Sequence, residues 1–373
     1  MLSPPTTLDS IVIVGASARA AAESARRAGY RPCCVDLFAD RDLRSWAQVE
    51  RCPWEEYPVG LLSRVERAGV PADAPVLLVG AMENHPEVVE ALSFRRPLLG
   101  SGAAAIEQVR APTVLSRLPA PDGVAVPRVR RRRPLAGLVA PWLLGKYVRK
   151  PLKGAGGRRV RIWPVGRRFA RDCYLQQYVR GRPISAVYVC DGWSSRLVGA
   201  TEQLIGDEAF GADGFRYCGN IGPLALEDRQ VRALMQLGVA LAQKFDLRGP
   251  IGIDAVVDRR GVIWPVEINP RYTAGTEVLE RSLGWSVLSK VSASTAAPGV
   301  IVGKAVVFAR GRTRVPDLYE HFGSQEIADV PEPGAHFEPG WPVCTLIVTA
   351  TDPETCRTSL RAMATKLYEV ILR

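Results

Sequence analysis

The chain predicts a mixed α/β and α+β fold, and three stretches carry that prediction. Near the start, an apolar run at residues 11–14 meets Gly15, an alanine-rich stretch reaching about Ala28, a stop at Gly29, and a second run over residues 31–36. Strand, glycine turn, helix and strand make a βαβ opening, which requires a parallel sheet. Farther on, residues 251–257 and 262–269 read as two strands joined by Asp258, Arg259, Arg260 and Gly261. Glycine takes positive φ freely in such a turn. Beyond about Gly303 come short strands (304–309, 328–331 and 341–350) and then a helix over 354–371.

Taken in order, residues 75–80 form another buried strand of the opening unit, and Glu83, Asn84, His85 and Pro86 follow its carboxyl end. Ligands of open α/β sheets collect at such ends, so Glu83 and His85 are candidate substrate contacts. The alternative is a polar helix cap built from Asn84, with Pro86 opening the helix. Arg110 closes a helical stretch beginning near Ile106. Residues 128–133 hold five arginines beside Pro127 and Pro134 and read as a solvated linker.

Residues 146–163 read as a strand, a basic glycine-rich turn (Lys150, Lys153, Gly154, Gly156, Gly157) and a returning strand. Glycines let backbone N–H groups approach phosphates, and lysines neutralise them. A flexible surface turn would look the same. Neither a P-loop nor a G-x-G-x-x-G fingerprint is present. An apolar strand follows, ending in Gln176, Gln177, Tyr178 and Val179 before Gly181, where backbone amides suit a flat purine edge. Residues 184–204 read as two strands, 210–223 as a glycine-rich loop bordering the cleft, and 231–245 as an amphipathic helix.

The hairpin at 251–269 is the most informative element. Alternation places Asp254 opposite in facing to Ile251, Ile253 and Ala255, while Glu267 and Asn269 share a face. An even-numbered loop sets Asp254 opposite Pro265 and diagonal to Glu267, within about 7–8 Å. Two carboxylates and an amide on one face suit Mg2+ (or Mn2+) sharing its shell with substrate phosphates. Arg271, just beyond, offers a planar fork for phosphate oxygens. Thr273 and Gly275 lead into a helix whose first amides and hydroxyls suit a substrate carboxylate, or simply cap the helix.

The order KP-x-K-G-x-G-G, then QQYV-x-G, then G-x-D followed by EINPR resembles the ATP-grasp superfamily over residues 110 to 280. The resemblance implies an N-terminal Rossmann-like domain (1–108), a two-subdomain ATP-grasp core (109–298, with a lid subdomain over about 130–180) and a small C-terminal β-rich domain (299–373). It also implies ATP and Mg2+ as cofactors. Lys150 would contact the phosphates, and Lys153, Gly154, Gly156 and Gly157 would form a lid. Gln176, Gln177, Tyr178 and Val179 would make the adenine hinge. Asp254, Glu267 and Asn269 would hold metal, and Arg271 would steady the transferring phosphoryl group. Arg110 stands where relatives carry a nucleotide-contacting lysine, and Gly181-Arg182-Pro183 stands where many carry an acidic ribose ligand. The activity implied is a carboxylate–amine ligase, closest in look to the tyramine–glutamate ligase subgroup of methanofuran biosynthesis and its one-carbon cofactor relatives. Bicarbonate activation and a non-catalytic ATP-binding regulator are the alternatives.

Composition sets the bounds. A chain of 373 residues with 47% hydrophobic content supports several domains and a large core. No apolar run approaches the roughly 20 residues of a membrane span. Residues 1–10 lack a secretory pattern, which points to the cytoplasm. The eight cysteines form no C-x-x-C pair and there are three histidines, so free buried thiols are expected rather than zinc. Lysine and arginine exceed acidic residues by 49 − 38 = 11, a balance suited to acidic small substrates. The expected partners are a small-molecule acid, an amine and a second copy of the chain, with no membrane and no nucleic acid.

Overall fold

A computed structural model describes residues 9–117, 120–131, 146–164, 169–289 and 300–371. The first eight residues, Arg132 and Arg133 of the basic run, and the expected domain boundary at 298/299 lie outside the described residues.

The opening unit is the expected parallel sheet, built from β1 (Ser10–Val14), β2 (Arg31–Asp36), β3 (Gln48–Arg51) and β4 (Val76–Leu78). Its order β3-β2-β1-β4, all parallel, is that of a Rossmann half. Helices α1 (Arg19–Arg27), α2 (Arg41–Arg44), α3 (Gly60–Arg67), α4 (Pro86–Ser93) and α5 (Ala103–Arg110) accompany it. Ile11 to Val14 are fully buried, as continuous apolar strands covered on both faces must be.

A second, antiparallel sheet follows, from β5 (Val129–Arg130), β6 (Tyr147–Pro151), β7 (Arg161–Trp163) and β8 (Cys173–Gln177) in the order β5-β8-β6-β7. The glycine-rich turn joins β6 to β7, as the sequence predicts.

The remaining strands are β9 (Arg182–Asp191), β10 (Ser195–Ile205), β11 (Tyr217–Gly222), β12 (Arg248–Val257), β13 (Ile263–Asn269) and β14 (Ile301–Phe308). They are followed by β15 (Thr313–Arg314), β16 (Ile327–Ala328), β17 (His336–Phe337) and β18 (Pro342–Ala350). All but the β15–β17 ribbon form one eight-stranded sheet, β13-β12-β9-β10-β11-β14-β18-β16. The C-terminal strands therefore extend the central sheet, and α8 (Pro353–Ile371) covers them with Cys356, Leu360, Ala364 and Leu367 inward. On the other half, α6 (Asp228–Phe245) buries Leu234, Leu237 and Leu241 against Ile184, Tyr188 and Ile253. Helix α7 (Ala274–Leu283) is buried through Val278 and Leu279. All eight cysteines are free and buried, as expected.

Two sequence expectations are corrected. Residues 217–222 are a strand in the middle of the sheet rather than part of a loop. Glycines there serve close strand approach: a Cβ on Gly219 would lie 2.0 Å from the Lys304 carbonyl oxygen. The hairpin register also differs. A bulge at Val266 sets Asp254 directly opposite Glu267, while Ala255 faces Pro265. Val257 pairs with Ile263, so the loop spans the five residues 258–262 and is odd rather than even, and the bulge then shifts the pairing by one residue more.

Candidate active site

The hairpin β12–β13 places the chemistry. With Asp254 and Glu267 paired across the strands, their carboxylates stand on one face with Asn269, whose Nδ2 donates to Asp254 Oδ2 at 3.0 Å. Gln203, on β10, donates to the other Asp254 oxygen at 2.9 Å. Burial pushes the Asp254 carboxyl up to about 6, and the neighbouring Glu267 charge pushes it the same way. Burial would also raise Glu267, but Lys150, Arg110 and Arg271 outweigh it and hold that carboxyl at about 2.

Cations close the other side of Glu267. Arg110, at the end of α5, donates to Glu267 Oε1 at 2.6 Å. Lys150, on β6, sits 3.5 Å from Glu267 Oε2 and donates to the Val266 carbonyl at 3.2 Å. Burial alone would depress the Lys150 ammonium, yet Tyr174 and Glu267 leave it raised, so it is a fixed positive charge. Gln176 supports it: its Oε1 lies 3.5 Å from Lys150 Nζ, and its Nε2 donates to the Val266 carbonyl at 3.1 Å. Arg271 is held by two bonds to the buried carboxylate of Glu83, at 2.7 and 2.8 Å. The loop after β4 thus aims the arginine that follows β13.

Lys150, Arg110, Gly154, Gly156, Gly157, Gln176 and Glu267 line one cavity of about 60 Å³ under the glycine-rich turn. That turn lies against the central sheet. The Tyr217 amide donates to the Gly156 carbonyl at 3.0 Å, and Gly157 has φ +71°. A Cβ at Gly157 would fall 1.9 Å from the Phe215 carbonyl oxygen, so only glycine lets the turn approach so closely.

Other predicted residues lie apart from this cavity. Gln177 accepts from the Arg128 amide, and the Tyr178 amide donates to the Lys146 carbonyl, with Val179 following the strand. His85 packs edge-on to Tyr57 and 3.5 Å from Glu87; burial lowers its pKa, and the Lys153 charge adds to that. Thr273 and Gly275 are buried, and Thr273 forms a capping box with Thr276 at the start of α7. Tyr174 and Gln203, not singled out from the sequence, also enter the site, as does Asn84, read there as a helix cap although no side chain caps α4. Tyr174 lines the cavity, Gln203 holds Asp254, and Asn84 reaches the glycine turn (3.2 Å from the Gly154 amide). No alternation marks Gln203, because Thr201, Glu202 and Gln203 are consecutive polar residues along β10.

Among the described residues, no group of three or more His, Cys, Asp or Glu side chains is gathered for a metal. The donor set is two carboxylates and one amide, all hard oxygen ligands. Asp254 facing Glu267 is a like-charge pair that a divalent cation would relieve, so the residues fit Mg2+.

Over residues 119–275 the chain matches the family model for an ATP-grasp domain. No curated protein sequence matches it. Its fold is shared with several solved structures. The L-amino acid ligase of Bacillus licheniformis is 16% identical at a TM-score of 0.67, covering 96% of this chain and 97% of that one. N5-carboxyaminoimidazole ribonucleotide synthetase of Thermotoga maritima is 15% identical at 0.66, covering 98% and 99%. The biotin carboxylase domain of Hydrogenobacter thermophilus 2-oxoglutarate carboxylase, solved with MgADP and bicarbonate, is 15% identical at 0.69, covering 95% and 89%. Residues 119–275 thus match an ATP-grasp domain, and the fold of nearly the whole chain is shared with these solved structures.

Proposed function

We propose that the protein is an ATP-dependent carboxylate–amine ligase. The observation that carries this reading is the Lys150–Glu267–Arg110 cluster beneath the glycine-rich turn, with Asp254 directly across from Glu267. Phosphoryl transfer is mostly positioning and neutralisation of spread negative charge, and this site concentrates fixed cations beside oxygen donors. In the reaction, a substrate carboxylate oxygen attacks the γ-phosphorus of ATP and the bond to the bridging oxygen breaks, releasing ADP. The amine nitrogen then attacks the acyl carbon, phosphate leaves, and the amine loses a proton.

Lys150 and Arg110 neutralise the nucleotide phosphates, and Arg271, aimed by Glu83, steadies the transferring group. Asp254, Glu267 and Asn269 would hold Mg2+, which supplies charge neutralisation between phosphates. The glycine-rich turn excludes water from the acyl phosphate. The substrate pair we favour is an acidic amino acid with an amine, of the glutamate and tyramine kind, in one-carbon cofactor assembly. The basic surplus and the EINPRYTAG run support that choice.

The test is ADP release with Mg-ATP across a panel of acids and amines that includes glutamate and tyramine. Release requiring one acid and one amine together is expected, and Glu267→Gln should lower it by roughly 10²–10³-fold. Release that needs bicarbonate alone would replace this reading with a bicarbonate-activating one.

A further inference from the structure

We infer that Asn84, in the opening α/β unit, is the positioning residue that latches the glycine-rich turn shut over the reaction site. The inference rests on the ligase reading for its catalytic consequence, though not for its structural one.

Asn84 and Gly154 are 70 positions apart, yet their amides interlock. Asn84 Oδ1 accepts from the Gly154 amide at 3.2 Å, and Asn84 Nδ2 points back to the Gly154 carbonyl at 3.4 Å. This reciprocal pair is what an added strand residue would make, supplied here by a side chain. Arg110 completes it, donating through Nη2 to Asn84 Oδ1 at 3.1 Å and to the Gly154 carbonyl at 3.3 Å. Two donors converge on Oδ1, so the flipped amide would set N–H against N–H, and the orientation is decided by the network.

Helix capping does not account for Asn84. The residue before α4 is His85, Pro86 occupies the first helical turn, and no side chain caps that end. Asn84 is nevertheless 9% exposed, so its amide is withdrawn from water and spent on the turn. The other hand of Arg110 is on Glu267, which ties the latch to the reaction site in one span of side chains. The far side of the turn is held by the Tyr217 amide on the Gly156 carbonyl and by Arg159 Nη2 on Asp172 Oδ2 at 2.9 Å. The near side thus depends on Asn84 and Arg110, and Arg110 already serves Glu267. Asn84 is the member whose removal loosens the turn with Lys150, Glu267 and Asp254 left in place, the Arg110 bond to the Gly154 carbonyl remaining.

The consequence is a coupling device. With the latch made, water is kept from the acyl phosphate until the amine attacks. Without it, ATP is still cleaved but the intermediate is lost to hydrolysis.

Two readouts test this on the full-length protein. Hydrogen exchange of the segment 152–160 should be faster in Asn84→Ala than in the wild type, while the peptide covering β2 exchanges unchanged. Asn84→Asp keeps the acceptor for Gly154 and Arg110 and should recover most of the protection. ADP formed per amide formed should rise above one in Asn84→Ala and return toward one in Asn84→Asp. Wild-type exchange in Asn84→Ala, or Asn84→Asp as exposed as Asn84→Ala, overturns the latch. If no acid–amine pair drives ADP release in the wild type, the ligase reading falls, and the exchange measurement still decides the latch.

Discussion

Lys150 shows how a single side chain acquires its role from its surroundings. Its ammonium is enclosed by the Glu267 carboxylate, the Gln176 amide oxygen and the Val266 carbonyl, which hold it in place; in the proposed ligase it meets a phosphate oxygen. Lys150→Ala should lower ADP release by roughly 10²–10³-fold. The melting temperature should shift only slightly, because Arg110 still neutralises Glu267. Steady-state kinetics beside a thermal melt checks both halves. That Asp254, Glu267 and Asn269 share one face was legible in the chain, and the proposed metal and phosphate roles rest on those residue types. Their pairings were not. Nothing in the sequence near residue 267 indicates that Glu83 would take Arg271 while Arg110 and Lys150 took Glu267, because those partners are 117 to 188 positions away.

Secondary-structure elements were read well where their own pattern sufficed, and poorly where a neighbour decided. The amphipathic stripe of α6 and the existence of the β12–β13 hairpin stand as expected, since periodicity and glycine placement are local, whereas the loop is five residues rather than even-numbered. The bulge at Val266 and strand β11 were missed because both exist only through cross-strand pairing. The start of α7 left two readings open, a substrate contact and a cap, and the geometry there is a capping box closed by Thr276. Thr273→Ala should therefore cost about 1 kcal/mol of stability, read by chemical denaturation, with KM for acid and amine unchanged. A rise in KM with stability intact would restore the contact reading.

Across the molecule, the opening sheet is joined to the core by buried charge. Arg19 on α1 is fully buried and binds Glu277 on α7 and Asp329, while Lys304 on β14 reaches the same Glu277 at 2.5 Å. Breaking such a cluster by removing one partner costs about 3–5 kcal/mol. Burial would raise the Glu277 carboxyl, but Arg19, Lys304 and Arg281 hold it well below its ordinary 4.5. A lowered carboxyl stabilises the fold above its unfolded value and loses that contribution as pH falls. Wild type should therefore exceed Glu277→Gln in stability most at pH 6–7, with the gap narrowing below about pH 4.5. Denaturation curves at pH 7 and pH 4 for both proteins test this. The sequence alone determined the order of the units, the parallel opening, the hairpin and the residue types of the site, because periodicity, turn chemistry and short spacing are local properties. Folding decided the rest: the eight-stranded sheet that takes in the C-terminal strands, the register that sets Asp254 against Glu267, and the joining of Asn84 to Gly154. Those depend on contacts between residues far apart in the chain, and no local pattern encodes which distant partner each one meets.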